Sequence, residues 1–275
     1  MATPSVNHWP DATCAKAFWG QHELRPYQEL FAHTLAWLKP KPGERWLDLG
    51  CGAGRLSRAI WTATAGRAAE VVGLDCAAAN AAAFDRFRAG LDPQVRDRFR
   101  FVAADFSAGL AAFPDGHFDG VVSGLAISYA ESYSEADGRW TQDGYDRVLA
   151  EVHRVLAPGG KFVFSVNVPE PAWGTVARSA LAGVFRSRRP QKFLLKAWRI
   201  WRYGGWLKRE ARRGRFHYLP LPAVQAGVRS NDQLAIGPMR LRVTPNGVSS
   251  GVASSSATST RTRASSTSTA SVPGL

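Results

Sequence analysis

Between Trp46 and Arg55 the chain reads WLDLGCGAGR: an apolar run, the acid Asp48, then Gly50, Gly52 and Gly54 separated by single residues. Each glycine raises the conformational entropy lost on folding, so something must require bare backbone there. Between a strand and a helix, such a loop lets the main chain approach a ligand at the helix N-terminus. A nucleoside triphosphate would want Lys and Ser or Thr after the last glycine, but Arg55 and Leu56 follow it. A dinucleotide would want Gly-x-Gly-x-x-Gly, and position 55 is Arg. A carboxylate at Asp48 repels a pyrophosphate and attracts a ligand carrying ammonium and sulfonium charges. The loop therefore favours S-adenosylmethionine.

Two further acids fit that ligand. Asp75 closes the apolar run VVGLD, where its oxygens can accept from both hydroxyls of a ribose. An acid at this distance also suits NAD, and it equally suits a helix cap. Asp105 closes VAADF, placed to accept from an adenine amino group or to cap a turn, with Phe106 flanking the ring or offering its backbone N–H. Cys51, inside the loop, belongs to the cofactor set by position, with its thiol filling the space beneath. Methyl transfer asks mainly for alignment in a dry site. An oxygen or nitrogen acceptor can require a base as well. Ser128, Tyr129, Tyr133 and Glu131 follow the fourth predicted strand, and Tyr129 is the favoured acceptor-lining residue. A core or lid aromatic is the competing reading of Tyr129, and no residue declares itself a catalytic base.

The elements that must hold these residues follow a rhythm. A helix is expected over Glu23–Leu38, stopped by KPKPG. Then strand and helix alternate: ERWLDLG, GRLSRAIWTAT, EVVGLD, AAANAAAFDRFRAG. FRFVAADF and FDGVVSG read as two more strands, Trp140–Leu156 as a long helix closed by APGG, and KFVFSVNV as a fifth strand. Short apolar strands alternating with helices indicate a parallel sheet covered on both faces. Ligands in such sheets bind outside the carboxyl ends of the strands, where each cofactor residue named above falls.

At 275 residues and 45% hydrophobic the chain can bury one full core and a smaller appendage. No run reaches the roughly 18–20 apolar residues of a membrane span, and the first residues do not read as a secretory signal. Cys14, Cys51 and Cys76 have no metal-like spacing, so no metal site is expected, and a reduced cytoplasmic setting follows. The net charge of +13 is uneven: Arg186–Arg215 holds twelve Lys or Arg against one acid, Glu210. Phe193, Leu194, Ala197, Trp198 and Trp201 can share one face of a helix edged by cations. Such a segment suits a lid, a peripheral contact with an anionic membrane, or, less well, nucleic acid. Four regions result: a helical cap at 1–40, the core at 41–168, a basic aromatic insertion at 169–222, and a low-complexity tail at 223–275. The Ser/Thr-rich tail cannot bury enough apolar area to order itself, and its composition resembles a GC-rich gene read in the wrong frame.

Asp48-Leu-Gly-Cys-Gly-Ala-Gly54, Asp75, AADF, FPDGHFDGVVS and RVLAPGGKFVFS together resemble the class I S-adenosylmethionine-dependent methyltransferases, in particular the methyltransferase type 11 group that includes ubiquinone and menaquinone biosynthesis enzymes. The likeness runs from about Trp19 to Val168. It implies an α/β fold: a doubly wound, mostly parallel, Rossmann-like sheet of seven strands. It also implies cofactor contacts from Asp48, Gly50, Gly52, Gly54, Asp75, Asp105 and Phe106. The C-terminal strands that the resemblance requires are missing from the sequence pattern, which would leave the edge of the fifth strand exposed. The expected activity is methyl transfer to a small, preferentially hydrophobic acceptor. The alternatives are an RNA methyltransferase, or a binding module whose truncated sheet no longer supports turnover.

Overall fold

The structure is a computed structural model; it describes residues 9, 25–166, 198, 201–202, 205–206, 208–216, 218 and 251–256. Most of the cap, the insertion and the tail therefore lie outside the described residues. Within them, helices α1 (Arg25–Leu38), α2 (Arg55–Ala63), α3 (Ala81–Ala89) and α4 (Asp143–Val155) surround strands β1 (Arg45–Leu49), β2 (Glu70–Asp75), β3 (Phe99–Ala103), β4 (Phe118–Gly124) and β7 (Leu156–Val166). A two-stranded ribbon, β5 (Tyr133–Ser134) with β6 (Arg139–Trp140), precedes α4, and β8 (Gly251–Ser256) completes the set.

The main sheet runs β3-β2-β1-β4-β7-β8, parallel throughout except for the last pair. Chain order reverses direction between β1 and β4, the point at which open α/β sheets leave a crevice for ligands. The strands are apolar on both sides because both sides are covered. Leu47, Leu49, Val72, Leu74, Val121, Phe162 and Phe164 pack with Tyr145, Val148, Leu149 and Val152 of α4. On the opposite face Trp46, Val71, Val122 and Val163 pack with Leu30, Leu38, Ile60, Trp61 and Phe84.

Trp46 is fully buried, and the strand beside it makes room through Gly120. A Cβ at Gly120 would overlap the Trp46 ring. Gly120→Ala is therefore expected to lower stability by about 2–3 kcal/mol through overpacking, read as a lower urea midpoint with an unchanged slope.

Three sequence expectations need correction. The helix expected from Trp140 begins only at Asp143; Trp140 lies in β6, its ring edge-on to Tyr133 at 5.2 Å. That aromatic pair closes a ribbon whose turn contains Gly138 at φ 63°, so cross-strand packing overrides helical periodicity. APGG does not merely stop the helix: Ala157–Gly160 already belong to β7, beside a register shift between Phe118 and Gly120. The edge of β7 is paired rather than exposed, because β8 lies antiparallel on it from Lys161↔Ser256 to Val166↔Gly251. A strand ladder uses backbone donors and acceptors, which a Ser-rich segment supplies as well as an apolar one. Among the described residues the main sheet thus holds six of the seven strands that the resemblance implied.

Candidate functional site

The crevice between the ends of β1 and β4 is built first by the glycine loop. Gly50 and Cys51 both donate their N–H groups to the Leu74 carbonyl, at 2.8 and 3.1 Å, fastening the loop to the end of β2. The three glycines all have positive φ, but their surroundings differ. A Cβ at Gly50 would overlap Ala126, and one at Gly54 would overlap the Phe84 ring. Around Gly52, φ 52°, no described residue lies within 4 Å of where a Cβ would stand. Two glycines are thus bare for packing, and the third meets none of the described residues.

Carboxylates line the same edge. Asp48 is buried beneath the loop, where its Oδ2 accepts from the Ser57 N–H at 3.0 Å and the Ser57 hydroxyl at 2.6 Å. This places an anion against the first turn of α2, where helix donors lack partners. Burial pushes the Asp48 carboxyl up to about 7 in spite of those bonds, and the nearby Asp75 adds to the rise. Asp75 accepts from the Gly52 N–H at 2.9 Å and the Ala77 N–H at 2.8 Å, and the Asn80 side chain also donates to it. Its pKa is raised too, by burial first and by the charge of Asp105 as well. Asp105 accepts from the Ser107 N–H at 2.9 Å, and the Ser107 hydroxyl in turn holds the Glu131 N–H at 3.1 Å. Burial lifts Glu131 to about 7 against the opposing pull of Arg215, with Asp105 adding repulsion. Asp48, Asp75, Asp105 and Glu131 thus form a chain of electrostatically coupled acids, a field that a cation relieves.

The remaining candidates separate by surroundings. Phe106 is buried, its ring against the Gly50 position, so it supports the loop from below. Cys51 is buried with its sulfur facing Gly73, and burial holds its thiol well above the usual range, as suits a space-filling residue. The Ser128 hydroxyl bonds back to the Leu125 carbonyl in a fully buried turn, and Tyr133 belongs to the β5–β6 ribbon. Tyr129 lies among aromatic rings: its hydroxyl is 2.7 Å from that of Tyr218, and Phe216 and Trp9 lie 5.1 and 4.8 Å from its ring.

Sequence reasoning missed Ser57, Ala126, Leu125 and Arg215. Leu125 follows β4 in a left-handed conformation, φ 68°, its N–H held by the carbonyl and hydroxyl of Ser165 at 3.1 and 3.0 Å. Such a conformation costs a leucine on the order of 1 kcal/mol or more and brings Ala126 against Gly50. No sequence signal marks it. Arg215 was hidden among the other cations of its stretch.

This fold and edge match a known class. Residues 47–164 match the family model described as a methyltransferase domain. A demethylmenaquinone methyltransferase of Thermus thermophilus is 36% identical over 140 residues, covering 50% of this chain and 54% of the relative. A sterol 24-C-methyltransferase of Gibberella zeae is 34% identical over 139 residues, covering 50% of this chain and 30% of that one. The chain thus spans about half or less of the length of these curated relatives. A methyltransferase structure from Methanococcus maripaludis superposes with a TM-score of 0.52 at 16% identity, covering 94% of this chain and 97% of the other, and so shares the fold. A Haloferax volcanii complex of a methyltransferase with the Trm112 methyltransferase activator gives 0.54 at 18% identity, over 90% of this chain and 96% of that one. Residues 47–164 thus match the methyltransferase domain, and S-adenosylmethionine is the cofactor that this match supports.

Proposed function

We propose that the protein transfers a methyl group from S-adenosylmethionine to a small, hydrophobic acceptor. The observation that carries this reading is the open backbone at Gly52 bordered by coupled, buried carboxylates at the β1–β4 switch point. The site residues fit the cofactor by charge. Asp75 and Asp105 would accept from its ribose and adenine, Asp48 would set the field beneath the loop, Gly50, Cys51, Gly52 and Gly54 would supply backbone, and the Phe106 N–H would stand beside the adenine. When bound, the cofactor supplies a methyl group already activated by sulfonium charge, so the chain's own task is alignment and exclusion of water. Tyr129, with Phe216 and Tyr218, would line the acceptor side. Calorimetry with S-adenosylmethionine and S-adenosylhomocysteine tests the reading; a protein that takes up neither but binds NADH would overturn it.

The acceptor's hydrophobic character is supported by these rings and by relatives named for quinone and sterol substrates. We also infer a cytoplasmic setting, with peripheral bilayer contact through 186–215 and nucleic acid a less favoured partner. Among the described residues no helix is long and apolar enough to cross a membrane. Trp198 and Trp201 are 51% and 68% exposed, and the Arg202 guanidinium lies 5.3 Å from the Trp198 ring centre. Aromatic and cationic groups side by side suit an anionic lipid interface. Trp198→Ala/Trp201→Ala is expected to cut binding to phosphatidylserine vesicles at least tenfold in a flotation assay while leaving cofactor affinity unchanged. Equal flotation of both proteins would remove the membrane contact.

A further inference from the structure

The segment around Arg215 reaches the cofactor edge at two points, through a buried ion pair and a hydroxyl pair. Arg215 and Glu131, 84 residues apart in the chain, meet side-on: Nε to Oε1 at 3.2 Å and Nη2 to Oε2 at 3.4 Å. Their side chains are only 8% and 2% exposed. The guanidinium lies 5.3 Å from the Trp140 ring centre and 5.8 Å from that of Phe216, and Glu210 approaches its far side at 4.0 Å. Three residues on, the Tyr218 hydroxyl meets that of Tyr129.

Glu131 is not remote from the cofactor residues. Its N–H is held by the Ser107 hydroxyl, and the Ser107 N–H by Asp105. Among the described residues, the charged groups facing Glu131 include Arg215 on one side and Asp105 on the other, with Glu210 behind Arg215. Two carboxylates brought together through Ser107 repel, and a buried carboxylate without a counter-charge either takes a proton or leaves. We infer that Arg215 is a positioning residue for the cofactor site: by neutralising Glu131 it seats the loop after β4 against the Asp105 turn and fastens the 208–216 segment over the same edge. This inference rests on the assignment of that edge to S-adenosylmethionine. Arg215 acts through Glu131 and touches no reacting atom.

S-adenosylhomocysteine binding by calorimetry at pH 6 and pH 8 tests it, with melting temperatures recorded alongside. Arg215→Met, which removes this counter-charge from Glu131, is expected to weaken binding at least tenfold at pH 8. At pH 6, where Glu131 can take up a proton, the loss should shrink to within threefold. Removing both charges, in Glu131→Gln/Arg215→Met, should restore affinity to within threefold of wild type at both pH values. A trypsin time course at Arg212 and Arg213 should show faster cleavage in the single variant and near wild-type cleavage in the double. If Arg215→Met binds as wild type does at pH 8, or the double variant binds as weakly as the single one, the inference is overturned. Should the single variant fail to fold, the double variant decides by the same criterion. Wild-type protein that ignores S-adenosylhomocysteine would instead sink the cofactor assignment, a separable result.

Discussion

Replacing Asp75 with alanine should raise the dissociation constant for S-adenosylmethionine at least a hundredfold. The estimate follows from two lost hydrogen bonds to a charged acceptor, each worth about 1.5–3 kcal/mol, with about 1.4 kcal/mol per tenfold. The two oxygens of Asp75 accept from Gly52, Ala77 and Asn80 in the fold itself. Binding must therefore share those oxygens or displace the Gly52 N–H, and a ribose hydroxyl can do either. Asp75→Asn separates the two contributions. Its side-chain oxygen can still accept from Gly52, so the loop keeps its anchor while the charge is gone. Calorimetry should place it between wild type and Asp75→Ala; equal affinity for all three proteins would refute the role of Asp75.

The second large effect concerns Asp48, where stability and binding should move in opposite directions. Burial raises its carboxyl from the ordinary 3.8 to about 7. An acid whose folded-state pKa exceeds its unfolded one binds its proton more tightly when native. Stability from this group therefore falls as pH rises from about 4 towards 7 and levels off above that. Asp48→Asn has no such loss, so its advantage over wild type should grow from pH 5 to pH 8, reaching on the order of 2–4 kcal/mol. Thermal melts of both proteins at the two pH values measure this directly. The lost charge should weaken S-adenosylmethionine binding at least tenfold at pH 8. The effect should be smaller for S-adenosylhomocysteine, which lacks the sulfonium. A pH-independent stability difference would show that Asp48 titrates as an ordinary carboxylate.

What the sequence disclosed and what it concealed differ by the range of the forces involved. Parallel strands covered on both faces must be apolar along their length, so VVGLD and FDGVVSG announced themselves. The carboxyl ends of the strands followed, and with them Asp48, Asp75 and Asp105. Trp140 was misplaced because it runs directly into the helical pattern of Tyr145, Val148, Leu149 and Val152, while its partner Tyr133 lies across a ribbon. The Glu131–Arg215 pair could not be read at all, since local periodicity says nothing about two charges 84 residues apart. Ser57 is equally silent: its bond to Asp48 depends on how α2 leaves the loop. The membership of each glycine in the motif was evident, but its purpose depended on Phe84 and Ala126, residues from elsewhere in the chain.

That division of labour among Gly50, Gly52 and Gly54 has a consequence for mutational scans. Alanine at Gly50 or Gly54 collides with a neighbour, so a screen for soluble expression and a screen for turnover should both score it as damaging. Alanine at Gly52 collides with none of the described residues. There the two screens should part company, with well-behaved protein that has lost its grip on the cofactor beyond the modest toll of a left-handed alanine. A motif that looks uniform on paper would then resolve into two positions guarding the architecture and one guarding the chemistry.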